Sequence, residues 1–203
     1  MMTIRLYVIA LVVILASGCA NDTKPLPILG QIDVVDGDTI RHEIPDFRFM
    51  DQDSQWITNE TFADQIYVSD FFFTSCPSIC PKVKKQMLRM YDVYKDDGRI
   101  SFLSHSIDTK RDSVPRLKLY ASNLGVTSEM WHFVTGDKQK IFGIADDYFV
   151  AAMEDSGAPG GFDHSGRLIL VDKDRHIRSF CEGTIEEEVN AFMKDIDKLL
   201  ETY

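Results

Sequence analysis

The sequence predicts a single α/β domain whose central, mostly parallel sheet has helices on both faces and an antiparallel hairpin near each end. Composition is the first observation that supports this fold class. The 203-residue chain is 44% apolar and 27% charged, which is typical of a folded domain. The second observation is the alternation of short apolar runs with segments in which apolar residues recur at helical spacing. That alternation is typical of parallel sheets.

The first 18 residues are interpreted as a signal peptide and are left out of the fold. Arg5 precedes an apolar run over 6–16, which is followed by two small residues and Cys19. A run of this length, at ~1.5 Å per residue, covers only about half of a bilayer core. LASGC is similar to the bacterial lipoprotein cleavage box, so we expect a lipid anchor on Cys19 at the periplasmic side of a bacterial membrane. The alternative is an ordinary secreted or uncleaved segment.

Residues 19–38 are predicted to form a flexible tether, because prolines and a glycine interrupt a polar stretch. The folded domain is then expected to span residues 39–203, and we expect it to be monomeric. The formal net charge is −10, and no lysine or arginine cluster interrupts the acidic excess. Nucleic acid is therefore not expected as a partner.

The domain is expected to begin with a hairpin, since an extended segment over 44–57 is interrupted by polar residues at 51–54. Thr58 is expected to cap a short helical turn. An apolar and aromatic run over 66–73, broken only by Ser69 and Asp70, is typical of a central strand that is covered on both faces. Apolar residues recur at helical spacing over 83–94. The order is therefore a strand, a cysteine-bearing loop and a helix.

The later elements continue the alternation. They are a strand at 100–107, a helix at 114–124, a strand at 131–134, a helix at 137–145, strands at 167–171 and 177–181, and a helix at 185–200. Asp137 is expected to cap its helix, and Thr184 and Glu187 have the spacing of a capping box. A cysteine pair between the first core strand and the following helix indicates a thioredoxin-like sheet.

Cys76 and Cys80 form the candidate reactive site. Because they are four residues apart, we expect them on one side of the first helical turn, with Cβ atoms about 5–6 Å apart. Positive potential at a helix N-terminus favours the thiolate form. Thiolates select Cu(I), zinc or iron–sulfur centres. A structural cysteine pair or a simple disulfide is the alternative at this stage.

A metal site needs at least one further donor, and His164 is the candidate. It follows Asp163 and precedes a strand that would return beside the cysteine loop. Spacing alone does not distinguish a ligand from an ordinary surface or core histidine. Cys181 is expected to be a buried thiol, with a resolving or partner-binding thiol as the alternative. Four histidines without a cysteine neighbour are interpreted as structural: His42, His105, His132 and His176.

At these residues the sequence resembles the Sco/SenC family, thioredoxin-fold proteins named for synthesis of cytochrome c oxidase. The similarity covers roughly residues 46–201. Four segments carry it in family order: FFFTSCPSICP at 71–81, SIDTKRDS at 106–113, WHFVTGDKQKIFGIA at 131–145 and DHSGRLILVDKDRHI at 163–177. Two departures are Ser78, where many members have Asp, and Thr109, where Pro is common.

The resemblance implies a mononuclear copper site, Cu(I) or Cu(II), with Cys76, Cys80 and His164 as ligands. Asp163 would orient the imidazole or balance charge beside it. The implied function is a metallochaperone that delivers copper to the dinuclear copper site of cytochrome c oxidase during assembly. Its partner would be that oxidase subunit or another copper chaperone. Two alternatives stay open: a thiol-disulfide reductase in which the two cysteines form the redox pair, and a redox or copper sensor.

Overall fold

A seven-stranded mixed sheet forms the core of residues 24–203, the part of the chain that this computed structural model describes. Its strand order is β11-β10-β5-β6-β7-β3-β4, and two small two-stranded sheets, β1-β2 and β8-β9, accompany it. The strands are β1 (Ile32–Val35), β2 (Asp38–Arg41), β3 (Arg48–Asp51), β4 (Trp56–Thr58), β5 (Ile66–Phe72), β6 (Ile100–Ser106), β7 (Trp131–Thr135), β8 (Ala152–Glu154), β9 (Phe162–His164), β10 (Arg167–Val171) and β11 (Ile177–Glu182). The α-helices are α1 (Cys80–Tyr94), α2 (Val114–Leu124), α3 (Lys138–Asp147) and α4 (Glu186–Leu200).

Parallel pairing is confined to the three central strands, β5, β6 and β7, and the pairs on both sides of them are antiparallel. Successive residues of β5 point to opposite faces of the sheet. The Phe72 ring packs 5.4 Å from the ring of Tyr120 in α2, whereas the Phe71 ring packs 5.6 Å from that of Tyr148, directly after α3. Helices therefore cover both faces, which confirms the predicted fold class.

Most predicted elements are present within one or two residues of their expected ends. Thr58 precedes a short 3₁₀ helix, Asn59–Phe62, and Asp137 accepts a hydrogen bond from the N–H of Lys140 at 3.1 Å. The predicted capping box of the last helix is wrong. Helix α4 begins at Glu186 with Ile185, not Thr184, as its N-cap residue, and no side chain caps it. The Thr184 hydroxyl donates to the carboxylate of Glu182 at 2.9 Å.

The N-terminal part of the described chain contacts β11. Leu29 forms a β-bridge with Ile177, and the Arg178 guanidinium donates to the carbonyls of Leu26 and Pro27. The signal peptide and Cys19 lie outside the described residues, and the tether and domain boundaries remain predictions. In residues 24–203 no helix combines the length and the apolar character that crossing a membrane requires.

Candidate metal centre

The cysteine loop connects β5 to α1 at the carboxyl end of a central strand. The N–H of Cys76 donates to the carbonyl of Phe73 at 3.2 Å, which closes the turn after β5. Helix α1 begins at Cys80, and Pro81 occupies its first turn, where a missing N–H costs no helical hydrogen bond. Cys76 lies before the helix, so the expectation that both cysteines share a helical first turn is wrong. The loop brings the two sulfur atoms together instead.

The ligand atoms of Cys76, Cys80 and His164 all lie within 4.8 Å of one another. The Sγ of Cys80 is 3.4 Å from the Nε2 of His164. Cys76 and Cys80 are 8% and 3% exposed, and the imidazole is half-buried. The structure thus brings together the three residues that the sequence singled out. Two sulfurs and one imidazole nitrogen form a soft donor set that could hold copper or zinc.

The orientation of His164 leaves the lone pair of Nε2 free to bind a metal ion. Nδ1 lies 3.0 Å from the carbonyl oxygen of Ser165, which fixes the proton on Nδ1. The ring also packs edge-on against Phe73, with ring centres 5.6 Å apart. Asp163 is exposed and pairs with Met153 across β8 and β9. The Ser165 carbonyl therefore makes the orienting contact that was expected of Asp163, and a backbone contact of this kind has no sequence signal.

The two thiols ionise differently. Burial opposes ionisation of Cys76, but hydrogen bonds from the Cys80 thiol and from the N–H groups of Ser78 and Cys80 outweigh it and lower the pKa of Cys76 to about 6. Burial raises the pKa of Cys80, and the neighbouring sulfur of Cys76 raises it further. At neutral pH the copper-free, reduced site therefore holds a Cys76 thiolate beside a Cys80 thiol.

Alkylation of the reduced, copper-free chain should report this difference. We expect iodoacetamide to modify Cys76 first, with a rate that falls as the pH drops through about 6, because only the thiolate reacts. Peptide mass spectrometry at graded pH measures the rate at each cysteine. The Cys76→Ser variant should lose the fast phase, and Cys181, whose pKa burial raises to about 12, provides an internal slow control. A rate at Cys76 that rises only above pH 8 would contradict the assignment.

A buried ion pair beside the cysteines was not predicted from the sequence. A cavity of about 370 Å³ is lined by both cysteines, Tyr120 and the buried Lys84. The ammonium of Lys84 donates to both carboxylate oxygens of Asp70, at 2.9 and 2.7 Å. It is one of three lysines in the first turns of α1, at 82, 84 and 85, and such a charged stretch is typical of solvent-exposed helix surface, so only the packing against β5 and β6 reveals its burial.

The remaining predicted residues lie away from the three donors. Cys181 is a buried free thiol in β11. His105 is fully buried, and burial lowers its pKa to about 3. His132 pairs with Asp51 at 3.1 Å. The nitrogen atoms of His42 and His176 contact the backbone carbonyls of Asp147 and His42, respectively. These contacts agree with the structural roles predicted for all four histidines.

The fold and the donor cluster together define a thioredoxin-like protein with a candidate soft-metal site. The model of the SCO1/SenC family matches residues 36–201, which is most of the chain. The chain therefore belongs to the SCO1/SenC family.

Individual relatives agree with this assignment. The SCO1 protein homolog of Bacillus subtilis (strain 168) is 25% identical over 161 residues, which cover 78% of this chain and 83% of that protein. The structure of BsSco, a member of the Sco family of cytochrome c oxidase assembly proteins, matches with a TM-score of 0.68 and 24% identity over 84% of this chain and 98% of its own. Arabidopsis thaliana ScoI with copper bound matches with a TM-score of 0.66 and 21% identity over 78% and 98%.

Proposed function

We propose that this chain binds one copper ion through Cys76, Cys80 and His164 and delivers it to the dinuclear copper site of cytochrome c oxidase during assembly. The convergence of the three donor atoms within 4.8 Å carries the proposal. Membership of the SCO1/SenC family supports it, and so does the copper held by a similarly folded relative. Two thiolates and an imidazole are donors that retain copper against harder cations.

Delivery would proceed by ligand exchange. An incoming pair of partner thiolates would form new copper–sulfur bonds while the bonds to this chain break one at a time, with no net electron transfer. His164 is half-buried and Cys76 is 8% exposed, whereas Cys80 is only 3% exposed. We therefore place His164 and Cys76 first in the exchange and Cys80 last.

We also propose that residues 1–18 are removed and that a lipid on Cys19 holds the domain of residues 39–203, as a monomer, on the periplasmic side of a bacterial membrane. The order of basic, apolar and small residues before Cys19 supports this. Such placement would bring the copper site to the same membrane surface as a membrane-bound oxidase. The copper-site subunit of that oxidase, or another copper chaperone, would be the partner.

A thiol-disulfide reductase is the second candidate function, and the ionisation of Cys76 favours it. The Cys76 thiolate would attack a partner disulfide, form a mixed disulfide and release one partner thiolate. Cys80 would then displace the second partner thiolate, so that this chain is oxidised and the partner is reduced by two electrons. This reaction uses the two sulfurs but does not need the nitrogen of His164.

One experiment separates the two functions. The copper-loaded full chain is mixed with a copper-free acceptor, the oxidase copper-site domain with its cysteines reduced, and the metal content of each protein is measured after separation. In a second arm, the reduced, copper-free chain is mixed with the same acceptor as a disulfide. We expect one copper per chain and its transfer in the first arm. Disulfide reduction without copper transfer would establish the reductase and refute the chaperone.

A further inference from the structure

His164 lies on a hairpin that is separate from the main sheet. Its strand, β9, pairs with β8 in a two-stranded sheet of its own. The cysteines, in contrast, follow directly from the central strand β5. Contacts that hold the β8–β9 hairpin against the cysteine loop therefore decide where the imidazole lies relative to the two sulfur atoms.

Arg111 makes one of these contacts. Its Nη2 donates to the carbonyl of Gly160 at 2.7 Å, four residues before His164, and its guanidinium carbon lies 5.8 Å from the ring centre of Phe162. Gly160 itself packs against Phe73: a Cβ at this position would lie 2.6 Å from the Phe73 ring, and the φ angle is +81°. Arg111 thus binds the loop between β8 and β9 at the point where that loop contacts Phe73, the first residue of the cysteine loop.

The turn that bears Arg111 is anchored to the cysteine loop. Arg111 Nε pairs with the carboxylate of Asp108, which is only 3% exposed. Asp112, which is fully buried, accepts hydrogen bonds from the N–H and the hydroxyl of Thr74 at 2.9 and 2.5 Å. Thr74 lies two residues before Cys76. A single short turn therefore contacts both of the segments that supply donor atoms.

We propose that Arg111 is a positioning residue of the metal centre, which holds the β8–β9 hairpin so that Nε2 of His164 faces the two sulfur atoms. The proposal rests on the proposed copper site. A guanidinium shared between a buried carboxylate and a loop carbonyl fixes both distance and direction through charge-assisted hydrogen bonds. The Arg111 side chain is itself 48% exposed, so its removal takes little apolar surface out of the core.

The Arg111→Ala variant of the full chain is expected to bind copper roughly 10-fold or more weakly, as is found for outer contacts that orient metal ligands. The nitrogen hyperfine signal of the Cu(II)-loaded protein should weaken, while the melting temperature stays close to that of the parent chain. In the copper-free chain, amide hydrogen exchange over 155–164 should increase, because the hairpin opens more often. Arg111→Lys keeps the charge and should recover part of each effect.

Two comparisons isolate the positioning role. In a His164→Ala background, Arg111→Ala should cause no further loss of copper affinity, because it acts through His164. Arg99→Ala is the matched control, since Arg99 also pairs with a nearby carboxylate, that of Asp97, and also donates to a distant carbonyl, that of Leu200 at 3.1 Å. It should leave the copper signal unchanged.

The proposal would be overturned if Arg111→Ala lowered copper affinity equally in the parent chain and in the His164→Ala chain. Unchanged amide exchange over 155–164 in the copper-free Arg111→Ala chain would also overturn it. Failure of the proposed function gives a different result, namely a parent chain that binds no copper. The exchange measurement needs no metal, and it then decides whether Arg111 holds the hairpin.

Discussion

Replacing His164 with alanine is expected to weaken copper binding by more than the roughly 10–100-fold that the loss of an outer contact to a metal ligand produces. The substitution removes the only nitrogen from three donors that lie within 4.8 Å of one another and leaves two sulfurs. Nitrogen hyperfine coupling should disappear from the Cu(II)-loaded protein, and the thiolate-to-copper absorption should shift. Competition against a chelator of known copper affinity measures the loss.

His176→Ala is the matched control for this prediction. The Nδ1 of His176 lies 2.8 Å from a backbone carbonyl, much as that of His164 contacts Ser165, but it belongs to the β10–β11 turn. The copper affinity of the His176→Ala variant should equal that of the parent chain. The His164→Ala variant should also still reduce a model disulfide peptide, since both sulfurs remain. Unchanged copper retention in His164→Ala would rule out His164 as a ligand and with it the three-donor transfer mechanism.

Local pattern predicted the main sheet because the central strands β5, β6 and β7 are almost entirely buried. All seven residues of β5 and all seven of β6 are buried. The apolar run of β5 is broken only by Ser69 and Asp70, and β6 keeps apolar residues at Ile100, Phe102 and Leu103. The hairpin that carries His164 gave no such signal. Its strands have three residues each and are partly exposed, and a three-residue strand is too short to show a period. The capping box failed because α4 begins one residue later than the pattern implied, so Ile185 and not Thr184 takes the N-cap position.

The candidate site was predictable only in part. The spacing of the cysteine pair indicated a shared centre, but 84 residues separate Cys80 from His164, and no local pattern connects them. The family resemblance supplied that connection. The contacts that position the donors were missed, because Ser165 acts through its carbonyl and Arg111 reaches across 49 residues to Gly160. Such contacts depend on how the loops pack.

The largest effect on stability is expected from Asp70→Asn. The Nζ of Lys84 lies 2.7 and 2.9 Å from the two carboxylate oxygens, and neither side chain is more than 3% exposed. The variant would remove the counter-charge and one of the two acceptor oxygens, so the buried ammonium would keep only neutral acceptors, the amide oxygen of Asn and the hydroxyl of Ser104 at 2.8 Å. Breaking one partner of a buried ion pair costs about 3–5 kcal/mol of unfolding free energy. Urea denaturation followed by circular dichroism measures this loss.

The deficit should depend on pH. Burial lowers the pKa of Lys84, and the charge and hydrogen bonds of Asp70 act against that lowering. In Asp70→Asn the main opposition to burial is lost and the pKa of Lys84 falls further, whereas an unfolded chain keeps the lysine proton up to a pH of about 10.4. The unfolded state then binds more protons than the folded state. Stability of the variant should therefore rise with pH on the alkaline side of neutrality, and the deficit should shrink.

A double variant tests whether the uncompensated charge causes the loss. Adding Lys84→Met to Asp70→Asn removes the ammonium from the interior, and part of the lost stability should return, because the interior then holds no unpaired charge and only a neutral buried amide remains. The exposed pair of Lys118 and Asp53, with side chains 68% and 34% exposed and 2.9 Å apart, is the matched control. Asp53→Asn should cost less than about 1 kcal/mol. If Asp70→Asn costs no more than Asp53→Asn, the buried ammonium does not need its carboxylate.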